Sequence, residues 1–168
     1  MAKRRGMSLL ELVVATSLLA MMLTAVTVIL RTSRQVWESH EAEFVRLEAA
    51  QATLRHIVRQ VRQADAVSAI SDATDNSGQL ALAMPDGQVV VWDHDGGTNT
   101  VNYGVGAANS LLAPEIAGLR FAGLRADGTT PAAQPAEVQC LRIDVTIPVP
   151  AGAAGSGVFS SWAWIRSW

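Results

Sequence analysis

The chain begins with a short basic head and continues as a long apolar run. The head spans Lys3–Arg5, and no residue within Leu12–Leu30 is charged. A helix over Met7–Leu30 would be about 36 Å long, and the hydrocarbon core of a bilayer is about 30 Å thick. The positive-inside rule places the basic head in the cytoplasm and the residues after Arg31 on the other side. The sequence therefore predicts a membrane-spanning helix at the N-terminus.

A secretory signal peptide and a plain single-pass anchor share this general pattern. A signal peptide has an apolar region of about 7–15 residues that ends in a small-residue cleavage site. The run here is longer, and it continues into Arg31 and Arg34 without a clear site of that kind. A plain anchor explains the length but leaves Glu11 unexplained.

Glu11 lies just inside the apolar run, where a carboxylate is costly. At the centre of a bilayer the cost is about 2.5–3.5 kcal/mol, and it is smaller near the end of a helix. Such a carboxylate needs a partner. Cleavage between Gly6 and Met7 would create a positively charged α-amine on Met7, which could pair with Glu11 of a neighbouring subunit.

The segment Lys3–Ala15 resembles the class III signal of type IV pilins and type II secretion pseudopilins. That signal is a basic leader ending in Gly, an apolar residue, Ser or Thr, two apolar residues, Glu and an apolar helix. Every element is present, although the usual first mature residue is Phe and here it is Met7. The resemblance implies that a prepilin peptidase cleaves after Gly6 and methylates the amine of Met7. The leader removed in this way contains the basic residues Lys3, Arg4 and Arg5.

The helical pattern continues beyond the span to about Asp65, since neither Pro nor Gly occurs between Met7 and Gly78. Apolar residues in this part recur at an a/d spacing, interrupted by Gln51. We expect this stripe to pack on a globular head, and a coiled-coil partner helix is the alternative. The stripe consists of Phe44, Leu47, Leu54, Val58 and Val61, with Trp37 seven residues before Phe44.

Two charged blocks follow each other along the predicted helix. The basic block Arg55, Arg59 and Arg62 lies on one face, beside His56, and is either a solvated surface or a docking strip for an acidic neighbour. An acidic block precedes it, and the two blocks could meet between staggered subunits, although exposed ion pairs contribute little individually. The formal net charge of −2, which becomes more negative once the leader is lost, argues against nucleic acid as a partner. The acidic block consists of Glu38, Glu41, Glu43 and Glu48.

The residues from Ala66 onward alternate in the manner of short antiparallel strands. The stretch Ser68–Gly78 is predicted to be a loop, and a turn at Pro85–Gly87 joins two strands into a hairpin. The chain is therefore predicted to be α+β, a long helix packed on a small antiparallel sheet. The domains are a leader (1–6), a transmembrane half (7–30) and an extracytoplasmic half (31–65) of the helix, and a β-rich head (66–168). The five or six expected strands lie within 79–84, 88–92, 98–103, 114–125, 138–149 and 158–168.

The head resembles that of the J-type minor pseudopilins of type II secretion. The similarity rests on Leu111–Phe121, on the turn Asp127-Gly128 and on the helix end Arg59–Ala64. The W-type minor pilins of type IV pili fit these residues nearly as well.

No feature of the head predicts catalysis or a cofactor. Cys140 is expected to be a buried structural thiol, since a nucleophile needs a nearby His and a lowered pKa. The turn Asp93–Gly96 falls short of a calcium loop, so no metal is expected. The tryptophans of the last strand either pack on the sheet or form a contact surface for another subunit. They are Trp162, Trp164 and Trp168.

The sequence thus predicts a non-enzymatic minor pseudopilin anchored in the inner membrane with a periplasmic head. Its expected partners are prepilin peptidase, the membrane, other minor pseudopilins and the major pseudopilin. A minor pilin of a type IV pilus is the alternative within the family. A membrane-anchored binding domain with an incidental leader is the alternative outside it.

Overall fold

The computed structural model describes residues 8–148 and 157–166, which form one long helix followed by eight strands. The helix, α1, spans Leu9–Val61, and a short 3-10 turn at Pro135–Glu137 precedes the seventh strand. The predicted α+β class with a long N-terminal helix and antiparallel strands is confirmed. The strands are β1 Ala66–Ile70, β2 Gln79–Ala83, β3 Val89–Asp95, β4 Thr100–Val105, β5 Ser110–Ala113, β6 Gly118–Leu124, β7 Cys140–Ile147 and β8 Gly157–Trp164.

The chain divides into two compact units, residues 1–42 and residues 43–168. In the first unit every side chain that the structure describes is exposed. The hydroxyls along its apolar helix are nevertheless satisfied. Thr24 and Thr27 donate to the carbonyls of Ala20 and Leu23 at 2.8 and 2.7 Å. This bonding lets polar side chains occupy an apolar helix without unpaired donors.

The second unit contains two antiparallel sheets, where the sequence predicted one. The first has the order β1-β2-β3-β4-β5 and the second the order β6-β7-β8, so that neighbours in sequence pair in space. The prediction that Ser68–Gly78 is a loop was wrong for its first residues, which belong to β1. Only Val67 of β1 is buried, so this edge strand lacks the apolar alternation by which strands are recognised. The short strand β5 was missed as well.

The outer part of α1 contributes one face to the core of the second unit. Its buried residues follow a period of 3.6, typical of a helix packed on a globular domain. The predicted a/d stripe is therefore wrong at its start, because Phe44 is 67% exposed. Ala50 and Ile57, which the predicted stripe did not include, are fully buried. The buried face consists of Ala50, Thr53, Leu54, Ile57 and Val61, and Ala64 is buried just beyond the end of the helix.

The apolar faces of the strands supply the rest of the core. Leu80 and Leu82 of β2, which lies within the expected strand 79–84, are fully buried. The alternating face of β7 is buried too, which agrees with the strand expected within 138–149. Trp92 of β3 and Phe121 of β6 are the largest of the fully buried side chains. The buried residues of β7 on this face are Leu141, Ile143, Val145 and Ile147.

The two sheets meet at Gly78. Its amide donates to the carbonyl of Leu119 at 2.8 Å, and the Leu119 amide donates to the carbonyl of Asn76 at 2.8 Å. A Cβ at position 78 would lie 2.6 Å from the Leu119 carbonyl oxygen. Only glycine allows the two backbones to approach this closely.

Candidate assembly site on the N-terminal helix

The predicted leader residues Lys3, Arg4 and Arg5 and the predicted cleavage pair Gly6 and Met7 lie outside the described residues. The described chain begins at Ser8, one residue before α1. The predicted pairing residue Glu11 lies in the first turn of that helix.

Ser8 and Glu11 form a reciprocal cap at the start of α1. The Ser8 amide donates to Glu11 Oε2 at 2.9 Å, and the Glu11 amide donates to Ser8 Oγ at 3.3 Å. This is the capping box, in which Ser at the N-cap and Glu three residues later satisfy two otherwise free helix amides. The carboxylate also lies at the positive end of the helix dipole. Sequence reasoning missed this role of Ser8, although the Ser-x-x-Glu spacing is visible in the sequence.

The helix that follows the cap is long and apolar enough to cross a membrane. Its most apolar stretch has a mean hydropathy of 2.4, and none of that stretch is buried within the chain. A buried core helix of a soluble protein is therefore a poor explanation. A cleavable signal sequence would meet the same criteria. The residues around the start of the helix are therefore needed to distinguish a signal sequence from a membrane anchor.

A family model described as the prokaryotic N-terminal methylation motif matches residues 1–27. This match supports an assignment to the type IV pilin-like proteins, and it covers the leader and the first part of the apolar helix. Comparison with curated proteins and with solved structures found no match. The leader thus supports the family, and no match over the head assigns the chain to a subfamily.

For a type IV pilin-like protein, the leader and the apolar helix together indicate a single-pass membrane anchor. Such a leader implies processing by a prepilin peptidase and assembly with other pilin-like subunits. The family consists of structural subunits and not of enzymes.

The basic block lies on the exposed side of α1, as the sequence predicted. Arg55, Arg59 and Arg62 are exposed, and Arg166, which follows β8, joins them around a shallow depression of about 420 Å³. Sequence reasoning did not predict that Arg166 would lie there, because its position depends on how β8 packs beside the helix.

His56 lies on the same helix but is half-buried against the first sheet. Trp92 Nε1 donates to His56 Nδ1 at 3.3 Å, and Tyr103 meets the His56 ring edge-on at 4.9 Å. Burial, and to a smaller extent the positive charge of Arg59, lowers the pKa of His56 below its ordinary value. A neutral ring is also what the bond from Trp92 requires, because a protonated Nδ1 cannot accept it.

The acidic turn near Gly96 has a structural role. Strand β3 extends through Asp95, so the predicted turn from Asp93 onward starts too early. The Asp95 carboxylate accepts bonds from the Thr98 hydroxyl and the Gly97 amide at 2.9 and 2.8 Å, and these bonds lower its pKa. Among the residues that the structure describes, no cluster of three or more metal-ligating side chains occurs.

Cys140 is a buried free thiol at the start of β7, as predicted. Burial, with a smaller contribution from the charge of Asp127, raises its pKa. On β8, Trp162 and Trp164 are 43% and 53% exposed, which leaves them available to a partner. Trp168 lies outside the described residues.

Proposed function

We propose that the chain is a minor pseudopilin of a type II secretion system, most similar to the J type, which primes or caps the pseudopilus. The observation that carries this proposal is the position of Glu11. It lies at the start of an apolar helix that the chain itself does not cover, directly after a prepilin leader. The J-type assignment is supported by the motif Leu111–Phe121, which forms most of β5, the following turn and the start of β6.

Processing starts in the inner membrane. The basic residues of the leader keep the N-terminus in the cytoplasm, and the head lies in the periplasm. Prepilin peptidase cleaves between Gly6 and Met7 and methylates the new amine of Met7. The apolar helix then passes from lipid into the core of the filament, where other minor pseudopilins and the major pseudopilin cover it.

Pairing between subunits is driven by the cost of leaving charges in an apolar environment. The amine of Met7 on one subunit and the Glu11 carboxylate on its neighbour compensate each other. Within the described residues, the Ser8 amide bonds to Oε2 of Glu11, and Oε1 makes no hydrogen bond. The helix cap and the pairing between subunits can therefore coexist.

Complementation of a strain that lacks this subunit tests the proposal. Glu11→Ala should block filament assembly while largely preserving cleavage of the leader. A variant that assembles as well as the wild type would contradict the proposal and favour a membrane-anchored binding domain.

The partners that co-purify with the processed chain distinguish a pseudopilin of type II secretion from a minor pilin of a type IV pilus. Recovery of secretion pseudopilins supports the proposed function. Recovery of pilus subunits instead would assign the chain to the minor pilins of type IV pili, which carry the same kind of leader.

A further inference from the structure

Strand β8 is an edge of the second sheet, and within the described parts of the chain it pairs only with β7. Just beyond the strand, the Ile165 amide donates to the carbonyl of Gln139 at 3.0 Å. Bonded and non-bonded pairs alternate along an antiparallel ladder, so the odd-numbered residues of β8 bond to β7. The amides and carbonyls of the even-numbered residues therefore point away from the sheet. These residues are Val158, Ser160, Trp162 and Trp164.

The other sheet edges are short, irregular or covered, as is usual in proteins that avoid edge-to-edge association. Strand β5 has four residues. The register of β1 shifts after Val67, and β1 lies beside the 3-10 turn. The outer side of β6 bonds to Gly78 and to the Ala132 amide, which donates to the carbonyl of Gly123 at 3.0 Å. Strand β8 has eight residues, and none of them is charged or a proline, so it lacks these protections.

Two adjoining depressions lie between this edge and α1. The first, of about 320 Å³, is lined by Ser160 and Ser161 and by helix residues that include Arg55 and Val58. Neighbouring residues of a strand project to opposite faces, so a depression that both serines line opens onto the edge of the strand. The second is the depression of about 420 Å³ described above, and it shares Arg55 and Val58 with the first. We name the two together the edge groove.

The edge groove is positively charged, although the formal net charge of the chain is −2. Its four arginines are exposed, and among the described residues none of them makes an ion pair or a side-chain hydrogen bond. Cations stabilise the carboxyl end of a helix, but this does not explain Arg166, which follows β8. An occupant of the groove is therefore expected to carry carboxylates. The four arginines are Arg55, Arg59, Arg62 and Arg166.

The remaining arginines of the second unit show the contrast, because each is held by a neighbouring side chain. They pair as Arg46–Glu115 at 2.6 Å, Arg120–Asn76 at 2.6 Å, Arg125–Glu137 at 3.1 Å and Arg142–Asp144 at 3.0 Å.

We propose that the edge groove binds an extended acidic segment of another pilin-like subunit, which adds to the second sheet as a strand beside β8. The outward backbone groups of β8 bond to the segment, as in other cases of strand addition, and the arginines select its carboxylates. The exposed rings of Trp162 and Trp164 lie along the same edge and contact its apolar side chains. This inference rests on the proposed function, since filament assembly brings a different pilin-like subunit beside the chain.

Ser160→Pro tests the strand pairing. The Ser160 amide points away from β7, so proline removes an outward donor without removing a bond of the sheet, and proline is tolerated at a strand edge. Ser160→Ala is the matched control. Both variants lose the hydroxyl that donates to Asp144 at 2.6 Å, and only proline removes the amide.

Photo-cross-linking of the full-length chain measures the binding. Trp162 is replaced by p-benzoylphenylalanine in cells that also produce the other pilin-like subunits, and the cross-linked peptide is identified by mass spectrometry. We expect a peptide rich in Asp and Glu from a different subunit that is made with a prepilin leader. Ser160→Pro should lower its yield about tenfold, and Ser160→Ala should not. The same reagent at Val105, which is exposed on β4, should not capture this peptide.

Neutralisation of the arginines tests the charge of the groove. Arg59→Gln with Arg62→Gln should lower the yield of the cross-link about tenfold, because two contacts with carboxylates are lost. Arg120→Gln with Arg125→Gln removes the same charge from exposed positions outside the groove and should leave the yield unchanged.

A cross-link to a second copy of this chain, or to a segment without acidic residues, would overturn the proposal. Equal yields from Ser160→Pro and Ser160→Ala, or the absence of any cross-link in assembled filaments, would do so as well. Cleavage of the leader and the dependence of assembly on Glu11, measured in the same cells, show separately whether the proposed function holds.

Discussion

The amide of Ser8 donates to Glu11 Oε2 at 2.9 Å, while the amide of Glu11 donates to Ser8 Oγ at 3.3 Å. Two properties of Glu11 are thereby combined in one side chain. Its Oε2 caps the helix, and its negative charge is the one that the proposed pairing with a neighbouring subunit requires. Substitutions that preserve one property and remove the other separate the two roles.

Glu11→Gln removes the charge but preserves the cap, because Gln can replace Glu in a capping box. We expect this variant to be cleaved normally and to fail in filament assembly, since a neutral amide does not compensate the amine of Met7. Shearing of filaments from cells, followed by immunoblotting, measures the assembled fraction.

Ser8→Ala is the matched control, because it removes one bond of the cap and leaves the charge of Glu11 in place. The loss of a cap costs about 1 kcal/mol of helix stability, which a helix of this length tolerates. We expect assembly to persist. If Ser8→Ala blocked assembly while Glu11→Gln did not, the cap rather than the charge would be the essential feature.

Substitutions on α1 test which face of the helix belongs to the core. Ile57 is fully buried, so Ile57→Ala should lower the free energy of unfolding of the head by about 2–5 kcal/mol. Phe44 is 67% exposed, and Phe44→Ala should change it by less than about 0.5 kcal/mol. Thermal unfolding of the detergent-solubilised chain, monitored by near-UV circular dichroism, compares the stability of the two variants. Equal losses would contradict the assignment of the faces.

The helix α1 also shows which features of the fold could be predicted from the sequence alone. Charge, hydropathy and the absence of Pro and Gly were sufficient to predict α1 as one long helix. They did not predict its buried face, because an alanine such as Ala50 carries no periodic signal and yet permits close packing. Strand β1 was missed for a related reason, since an edge strand with one buried residue does not alternate.

His56 makes the stability of the head depend on pH. Its folded-state pKa is lowered from 6.5, chiefly by burial. Between pH 6.5, the ordinary pKa of histidine, and the lower folded-state pKa, the unfolded chain binds a proton that the folded chain does not. The free energy of unfolding therefore falls as the pH decreases through this range. The melting temperature should therefore decrease between about pH 7 and pH 5.

His56→Gln is the control for this effect, because Gln can still accept the bond from Trp92 and does not titrate. Its melting temperature should decline less steeply over the same pH range. Parallel declines in the two proteins would show that His56 is not the titrating group.

Cys140 is expected to resist alkylation in the folded protein. The thiol is buried, and its raised pKa reduces the fraction of reactive thiolate. Iodoacetamide at neutral pH should modify Cys140 only after denaturation, as mass spectrometry of the intact chain can show. Rapid modification of the native chain would contradict the described packing of β7.

The sequence signal for the candidate site is more complete at the N-terminus than in the head. The leader signal consists of consecutive residues. The match to residues 1–27 can therefore be found without knowledge of the three-dimensional structure. The depression lined by arginines depends on a residue distant in sequence, Arg166, which lies beside α1 because of the packing of β8. Some arginines of the head are paired by contacts such as Arg46–Glu115, which no sequence pattern predicts. The sequence therefore does not show which arginines lack a partner.

The N-terminus of the membrane-extracted protein tests the central claim most directly. Mass spectrometry of chains produced with and without a prepilin peptidase identifies the first residue and its modification. We predict a chain that begins at N-methylated Met7 only when the peptidase is present. A chain that retains Met1 in the presence of the peptidase, or one cleaved beyond Leu30, would contradict the assignment as a processed pilin-like subunit.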